Sequence, residues 1–295
     1  MDCTTVSDVC QEYFCFWGLQ TANTVDLWRE VHYYRNVCLG GLKMKKLYLY
    51  ETHCHTNEAS ACACNSGAEM ARAYKAGGYS GIMVTNHFVH GNNCIDPSLP
   101  WEQWVRAFCR GYENAKEEGD KIGLSVFFGW ESNFRATEFL IYGLDKQWLI
   151  AHPEIRDVSV EQQYHLVKKS GGMVVHAHPF RIVPGIVEGV RLYPEFVDAV
   201  ETHNASHSNP HCHKPQSRPE FDTKAVEYAR QHDLPQTAGS DNHDTNMLGG
   251  GIAFEKPLIT VHDYIDAIKN RRPYVLQDGS GKSFTTNQRE PQGNL

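Results

Sequence analysis

Between about residues 44 and 277, short apolar runs alternate with amphipathic stretches. Residues 47–52, 81–85, 124–129, 139–142, 173–176 and 196–201 are apolar runs of strand length. Residues 236–240 form a weaker one. Between them, 68–76, 101–118, 160–169, 223–231 and 260–270 carry helical periodicity. In the second of these, Trp101, Trp104, Val105 and Phe108 share one face. Gly77-Gly78 closes the first. No internal repeat is present. Strand–helix alternation predicts one α/β domain with a largely parallel sheet. About seven strands favour a closed or distorted barrel over an open sheet.

The ends differ from this body. Residues 1–43 are rich in aromatics and cysteine, lack periodicity and end near Gly40-Gly41. They read as an N-terminal extension; an appended helix, a disordered arm and an over-long gene model all fit. Met44 is a natural start for the barrel domain, 44–277. Residues 278–295 turn to Gly, Ser, Thr, Asn and Gln and read as a solvated tail.

Composition narrows the function. Hydrophobic residues at 41% and charged residues at 21% describe a globular chain. No apolar run approaches the roughly 18–20 residues that span a bilayer, so no membrane association is expected. Twenty-eight basic against 35 acidic side chains leave a net charge of −7, which disfavours long nucleic acids as partners. Small anionic substrates stay open if a local cation holds them. Oligomeric state is not legible. The opening residues lack the basic flank and apolar stretch of a signal peptide. The 10 scattered cysteines therefore read as mostly free thiols in a reducing cytoplasm. Cys62-x-Cys64 has the wrong spacing for a zinc knuckle and reads as two small side chains in a loop.

The 16 histidines change the picture, because many fall where strands end. The first strand runs into His53-Cys54-His55 and the second into Asn86-His87. Glu131 follows the third, and His176-Ala177-His178 closes the fifth. Glu201-Thr202-His203 and Asp241-Asn242-His243 close the last two. In parallel α/β barrels the strand ends form the functional face. Residues i and i+2 of an extended chain share a side. His53 with His55, His176 with His178, and Asp241 with His243 are thus expected to point inward together, beside His87 and Glu131. Burying so many imidazoles and carboxylates is costly unless they bind metal. Their nitrogen and oxygen donors suit zinc, manganese or iron. By contrast, His32, His165, His232 and His262 read as surface or packing residues. His207, His211 and His213, around Pro210, read as a plain loop.

The segments ETHCHTN (51–57), VTNHFV (84–89), FGWESN (128–133), AHPFRI (177–182) and AGSDNHD (238–244) occur in this order. In that order and spacing the set resembles the polymerase and histidinol phosphatase (PHP) superfamily, over about residues 45–277. The resemblance implies a distorted seven-stranded (β/α) barrel with two or three divalent metals at the C-terminal ends of its strands. It implies phosphoester hydrolysis as the activity. Carried over, His53, His55, Glu131 and Asp241 hold one metal. Glu131 bridges to a second, which His178 also binds, and His87 and His243 hold a third. Where many members supply a further third-metal ligand, this chain has Ser60 and Ala61, and Glu58 is the nearest substitute. Asp145 is the candidate for the remaining second-metal ligand. The usual Thr-Asp-His reads Thr85-Asn86-His87, which implies altered packing around the ligands.

Read as chemistry, the metals would activate a water for in-line attack on the phosphorus of a small phosphomonoester, a metabolite or a nucleotide. Arg181 would grip the phosphate and His176 would assist the leaving oxygen. His203 and Asn204 would line the pocket. Two other readings compete. A metal-dependent amidohydrolase also opens with His-x-His, but usually bridges its metals through a Lys or Glu after the middle strand. A non-catalytic metal-binding barrel would tolerate the departures at Ser60, Ala61 and Asn86.

Overall fold

The computed structural model describes residues 46–182, 189–209 and 218–286. The proposed extension 1–43, with His32, lies outside them, as do His211, His213 and the tail beyond residue 286. The strands are β1 (Tyr48–Cys54), β2 (Gly81–Val84), β3 (Ser125–Phe134), β4 (Thr137–Tyr142), β5 (Met173–His176), β6 (Ala199–Asn204), β7 (Gln236–Gly239), β8 (Gly250–Phe254), β9 (Tyr274–Asp278) and β10 (Ser283–Thr285). The helices are α1 (Gly67–Ala76), α2 (Trp101–Phe108), α3 (Arg110–Ile122), α4 (Lys146–Ala151), α5 (Val160–Lys169), α6 (Ala205–Ser208), α7 (Glu220–Gln231) and α8 (Val261–Lys269). None of them is long and apolar enough to cross a membrane.

All ten strands join one curled sheet in the order β10-β9-β8-β1-β2-β3-β4-β5-β6-β7. Among the described residues the expected seven therefore become ten, and the sheet is mixed rather than largely parallel. β1, β2 and β3 run parallel, as do β5, β6 and β7. β4 is antiparallel to both its neighbours, and β8–β10 are antiparallel throughout. The cause is a tight turn at Arg135 and Ala136, whose positive φ values of 54° and 65° fold β3 straight back as β4. The expected strand stops at residue 129, yet Ser132 and Asn133 beyond it pair with Phe139 and Glu138 in this hairpin.

β1 shares its outer edge between two partners. Its first half pairs with β8. Its end meets the chain leaving β7: Thr52 Oγ1 donates to the Ala238 carbonyl (2.7 Å), Asn242 N–H to that of His53 (3.1 Å) and His55 N–H to that of Asn242 (2.8 Å). The curl thus brings the two His/Asp-bearing segments against each other. Phe127 packs inside with Tyr50, Met83, Leu140, Tyr142 and Val175. Its neighbours Val126 and Phe128 face the helices instead, as strand alternation requires.

The expected helix over 101–118 is two, α2 and α3, parted at Cys109 (ψ −5°). α3 presses on the loop after β1. A side chain at Gly111 would place its Cβ 2.0 Å from Thr56 Oγ1 and 3.0 Å from Asn86 Nδ2, so only glycine allows the approach. α1 starts at a Ser66/Glu69 capping box.

Candidate metal centre

His53, at the end of β1, and His55 just beyond it are completely buried with Glu131. His53 Nδ1 lies 3.0 Å from Glu201 Oε1, and its Nε2 faces Glu131 Oε1 at 3.2 Å and Asp241 Oδ1 at 3.6 Å. Glu201 also accepts from the backbone of His178 (3.1 Å) and from Asn204 Nδ2 (2.9 Å). It therefore fixes two neighbouring histidine segments from one buried carboxylate.

The tautomer of His55 is set by a chain of hydrogen bonds. Thr56 N–H donates to Asn86 Oδ1 (2.6 Å), and Ser60 Oγ donates to the same oxygen (3.0 Å). Ser60 Oγ accepts from His87 N–H (3.0 Å) and, its own proton spent, from His55 Nδ1 (3.2 Å). Burial, with His243 and His87 nearby, holds the His55 pKa well below its ordinary range. Its Nε2 is thus a lone pair, aimed at Asp241 Oδ1 (3.1 Å) and Glu131 Oε2 (3.7 Å).

A lone pair facing two carboxylates in a dry interior is repulsive. A divalent cation among them reverses the sign. Ligands about 2.1 Å from a tetrahedral ion stand about 3.4 Å apart, and the donor spacings here run from 3.1 to 3.7 Å. The buried atoms His53 Nε2, His55 Nε2, His87 Nδ1 and Glu131 Oε2 make no hydrogen bond. The donor set fits a metal.

The electrostatics agree. Burial opposes a charge on His53, but Glu201 and Glu131 outweigh it and raise its pKa well above the usual range. Burial likewise opposes a charge on His87, yet Glu131 brings it up to about 10. Burial would raise Glu131, but His53 and His87 hold it well below the carboxylate range. The acids draw positive charge into the cluster.

Among the described residues, four groups of side chains offer ligand atoms within 4.8 Å of one another: His55/His87/His243, His53/His55/Glu131, His53/His178/Asp241 and His87/Glu131/Glu138. Seven expected ligands, His53, His55, His87, Glu131, His178, Asp241 and His243, therefore converge. His178 Nε2 lies 3.2 Å from Glu131 Oε1 and 3.7 Å from Glu138 Oε2. Arg181 joins them, ion-paired with Glu138 (2.8 Å) and Asp241.

Other expectations are corrected. Asp145 is exposed and caps α4, accepting from Trp148 N–H at 2.8 Å. It follows the far end of antiparallel β4, away from the cluster. Glu138, at the near end, lies beside the cluster instead, 3.7 Å from His178 Nε2. Glu58 accepts from Gly67 N–H (3.0 Å) and Asn114 (2.9 Å), so it ties α1 to α3 rather than holding metal.

His176 does not point inward with His178. β5 ends at His176, and the left-handed backbone at His178 (φ 26°) breaks the alternation. The His176 ring stacks on Phe139 at 4.9 Å between centroids, and burial takes its pKa down to about 3. Its ring packs as a neutral imidazole and also lines the cleft that holds His178 and Arg181. His203 lies against Phe284 (4.3 Å), across an irregularity in β6 that turns it from the cluster. Asn204 buttresses Glu201 and caps α6 rather than lining an open pocket. His207 is buried and bonded to Asp222 (2.8 Å), not part of a plain surface loop.

Three residues that lie against the cluster had no role expected from the sequence. Glu201 was visible as a strand end. Glu138 was hidden in a hairpin, and Cys62 in a loop. Cys62 Sγ lies 3.3 Å from His87 Nε2. Burial would raise its thiol pKa, but His243 and His87 bring it down to about 6.

Comparison with known proteins now bears on this arrangement. A family model described as PHP-associated matches residues 219–273, from α7 through Asp241 and His243 to α8. No curated protein matches the sequence. A two-domain protein from Bacteroides vulgatus, containing a predicted PHP-like metal-dependent phosphoesterase, superposes with a TM-score of 0.56 at 13% identity. The match covers 88% of this chain and 69% of that one. The chain has a PHP-like fold. PsfC from Pseudomonas syringae shares it, with a TM-score of 0.52 at 18% identity over 76% of this chain and 90% of its own. A PHP-like fold does not choose a substrate; the residues of the site must do that.

Proposed function

We propose that this chain is a metal-dependent phosphoesterase that hydrolyses a small phosphomonoester. The observation that carries the reading is His55 Nε2, held as a lone pair against Asp241 and Glu131 in a dry interior. His53, His55, Glu131 and Asp241 would hold one cation. Glu131, His178 and Glu138 would hold a second, and His87 and His243 belong to a third. Zinc, manganese and iron all suit these donors.

Divalent cations held here supply Lewis acidity and bring a bound water towards ionisation at neutral pH. The chain's own part is placement. Glu201 and Ser60 orient His53 and His55 through their Nδ1 atoms. Arg181 lines a small cleft with Glu138, His178 and Arg191. Its guanidinium matches a phosphate's oxygens by two-point contact once it leaves Asp241. A domain that runs past the expected limit of 277 to include β10, and a cytoplasmic location, belong to the same proposal.

Elemental analysis of tag-free protein purified without chelator, with p-nitrophenyl phosphate hydrolysis on the same sample, tests it. Two to three equivalents of metal and turnover abolished by chelation are expected. Asp241→Asn should remove turnover and lower the metal content with unchanged circular dichroism. Hydrolysis by that variant at the wild-type rate would overturn the site; no metal and no hydrolysis would overturn the function.

A further inference from the structure

The third group of the cluster has only two imidazoles assigned to it, His87 and His243. The segment carrying Cys62 is fastened to both of their loops. On one side His87 N–H donates to Ser60 Oγ (3.0 Å), and Ala61 N–H to the Asn92 carbonyl (2.9 Å). On the other, Cys64 N–H donates to the His243 carbonyl (2.8 Å), and Thr245 N–H to Asn65 Oδ1 (3.0 Å). Cys62 is thus held between the loops, its Sγ 3.3 Å from His87 Nε2. The orientation of His243 is fixed from behind, its Nδ1 2.8 Å from the Asp241 carbonyl. His87 adds an independent sign of a ligand. It is 6% exposed, its Nδ1 turns to Glu131 Oε2 (2.7 Å) on the other edge of the ring, and with His55 and His243 it offers ligand atoms within 4.8 Å of one another.

We propose that Cys62 is a metal ligand, and that its thiolate completes a third cation site with His87 and His243. Sulfur and imidazole together select zinc, or cobalt as its probe, over magnesium, calcium and manganese. The site would then differ in softness from its neighbours, whose donors are imidazole and carboxylate. Cys62 enters from the loop after β1, where neither Glu58 nor Ser60 is available: one binds Gly67 and Asn114, the other holds His55 and Asn86. Zinc binding would release the thiol proton to solvent and form the Zn–S bond without any redox change.

This inference rests on the metal-centre reading above, and the test separates the two. The full chain is loaded with cobalt(II), and its near-ultraviolet thiolate-to-cobalt charge-transfer absorption is recorded beside the metal stoichiometry. Wild type should show the band, and Cys62→Ala should lose both the band and one equivalent. Cys62→His should regain the equivalent without the band, while Cys64→Ser should leave both intact. Cobalt bound with no thiolate band, or a band that survives Cys62→Ala, would overturn the role of Cys62 and leave the other sites standing. Failure to bind any cobalt would overturn both.

Discussion

Glu201 Oε1 lies 3.0 Å from His53 Nδ1, and neither side chain is exposed to solvent. The pair does for His53 what Ser60 does for His55: it occupies Nδ1 and turns Nε2 into the cluster. Only Glu201 brings a full charge, which makes the imidazole a stronger donor to a cation. Gly239 makes room for the pair. A Cβ there would stand 2.6 Å from both Glu201 Oε1 and His53 Cβ.

The first prediction follows from that pair. Glu201→Gln keeps the shape and removes the charge. It should weaken metal binding by about 10–100-fold, the usual effect of losing such a support. Competition against a chelator of known affinity measures this, with circular dichroism as the check on folding. Unchanged affinity would show that Glu201 is structural only.

Glu138 and Asp145 make a contrasting pair. Both are carboxylates near the ends of β4, but β4 runs antiparallel to β3, so only its beginning reaches the cluster. Glu138→Gln should lower the metal content by about one equivalent and weaken the hold on Arg181. Asp145→Ala should leave the metal content unchanged and cost about 1 kcal/mol through loss of the α4 cap. Elemental analysis and urea unfolding of the two variants read these effects separately. A loss of metal on replacing Asp145 would reverse the assignment.

Much of the site was legible because its residues end apolar runs. His53, His55, His87, Asp241 and His243 each follow a strand of a parallel set, where chain direction and strand end agree. The sequence could not show where that direction reverses. The turn at Arg135-Ala136 has no Gly or Asn to announce its positive φ values. Glu138 therefore falls outside the apolar run 139–142 that marks the strand, and Asp145 follows a strand end that faces the other way. β8 begins with Gly250-Gly251, β9 ends where the polar tail was expected to begin, and β10 lies inside that expected tail, so their pairing shows only in the folded sheet. Cys62 was passed over because its distance in sequence from His87 and His243 says nothing of their distance in space. The split between α2 and α3 had no proline or glycine at Cys109 to mark it.

His176 carries the last prediction, because sequence and structure disagree about it most. As the first half of His-x-His it reads as a partner of His178. In the fold its ring is fully buried against Phe139, with Tyr193 and Tyr228 also beside it, and neither nitrogen makes a hydrogen bond. Burial, and after it the nearby His178, depress its pKa to about 3, so it carries no proton to give near neutral pH. A planar apolar ring satisfies every contact it makes. His176→Phe should therefore retain metal content, and turnover of p-nitrophenyl phosphate within a few-fold of wild type, and should be at least as stable to urea. A hundredfold fall in kcat with metal content and folding intact would return His176 to the chemistry as the group that assists the leaving oxygen.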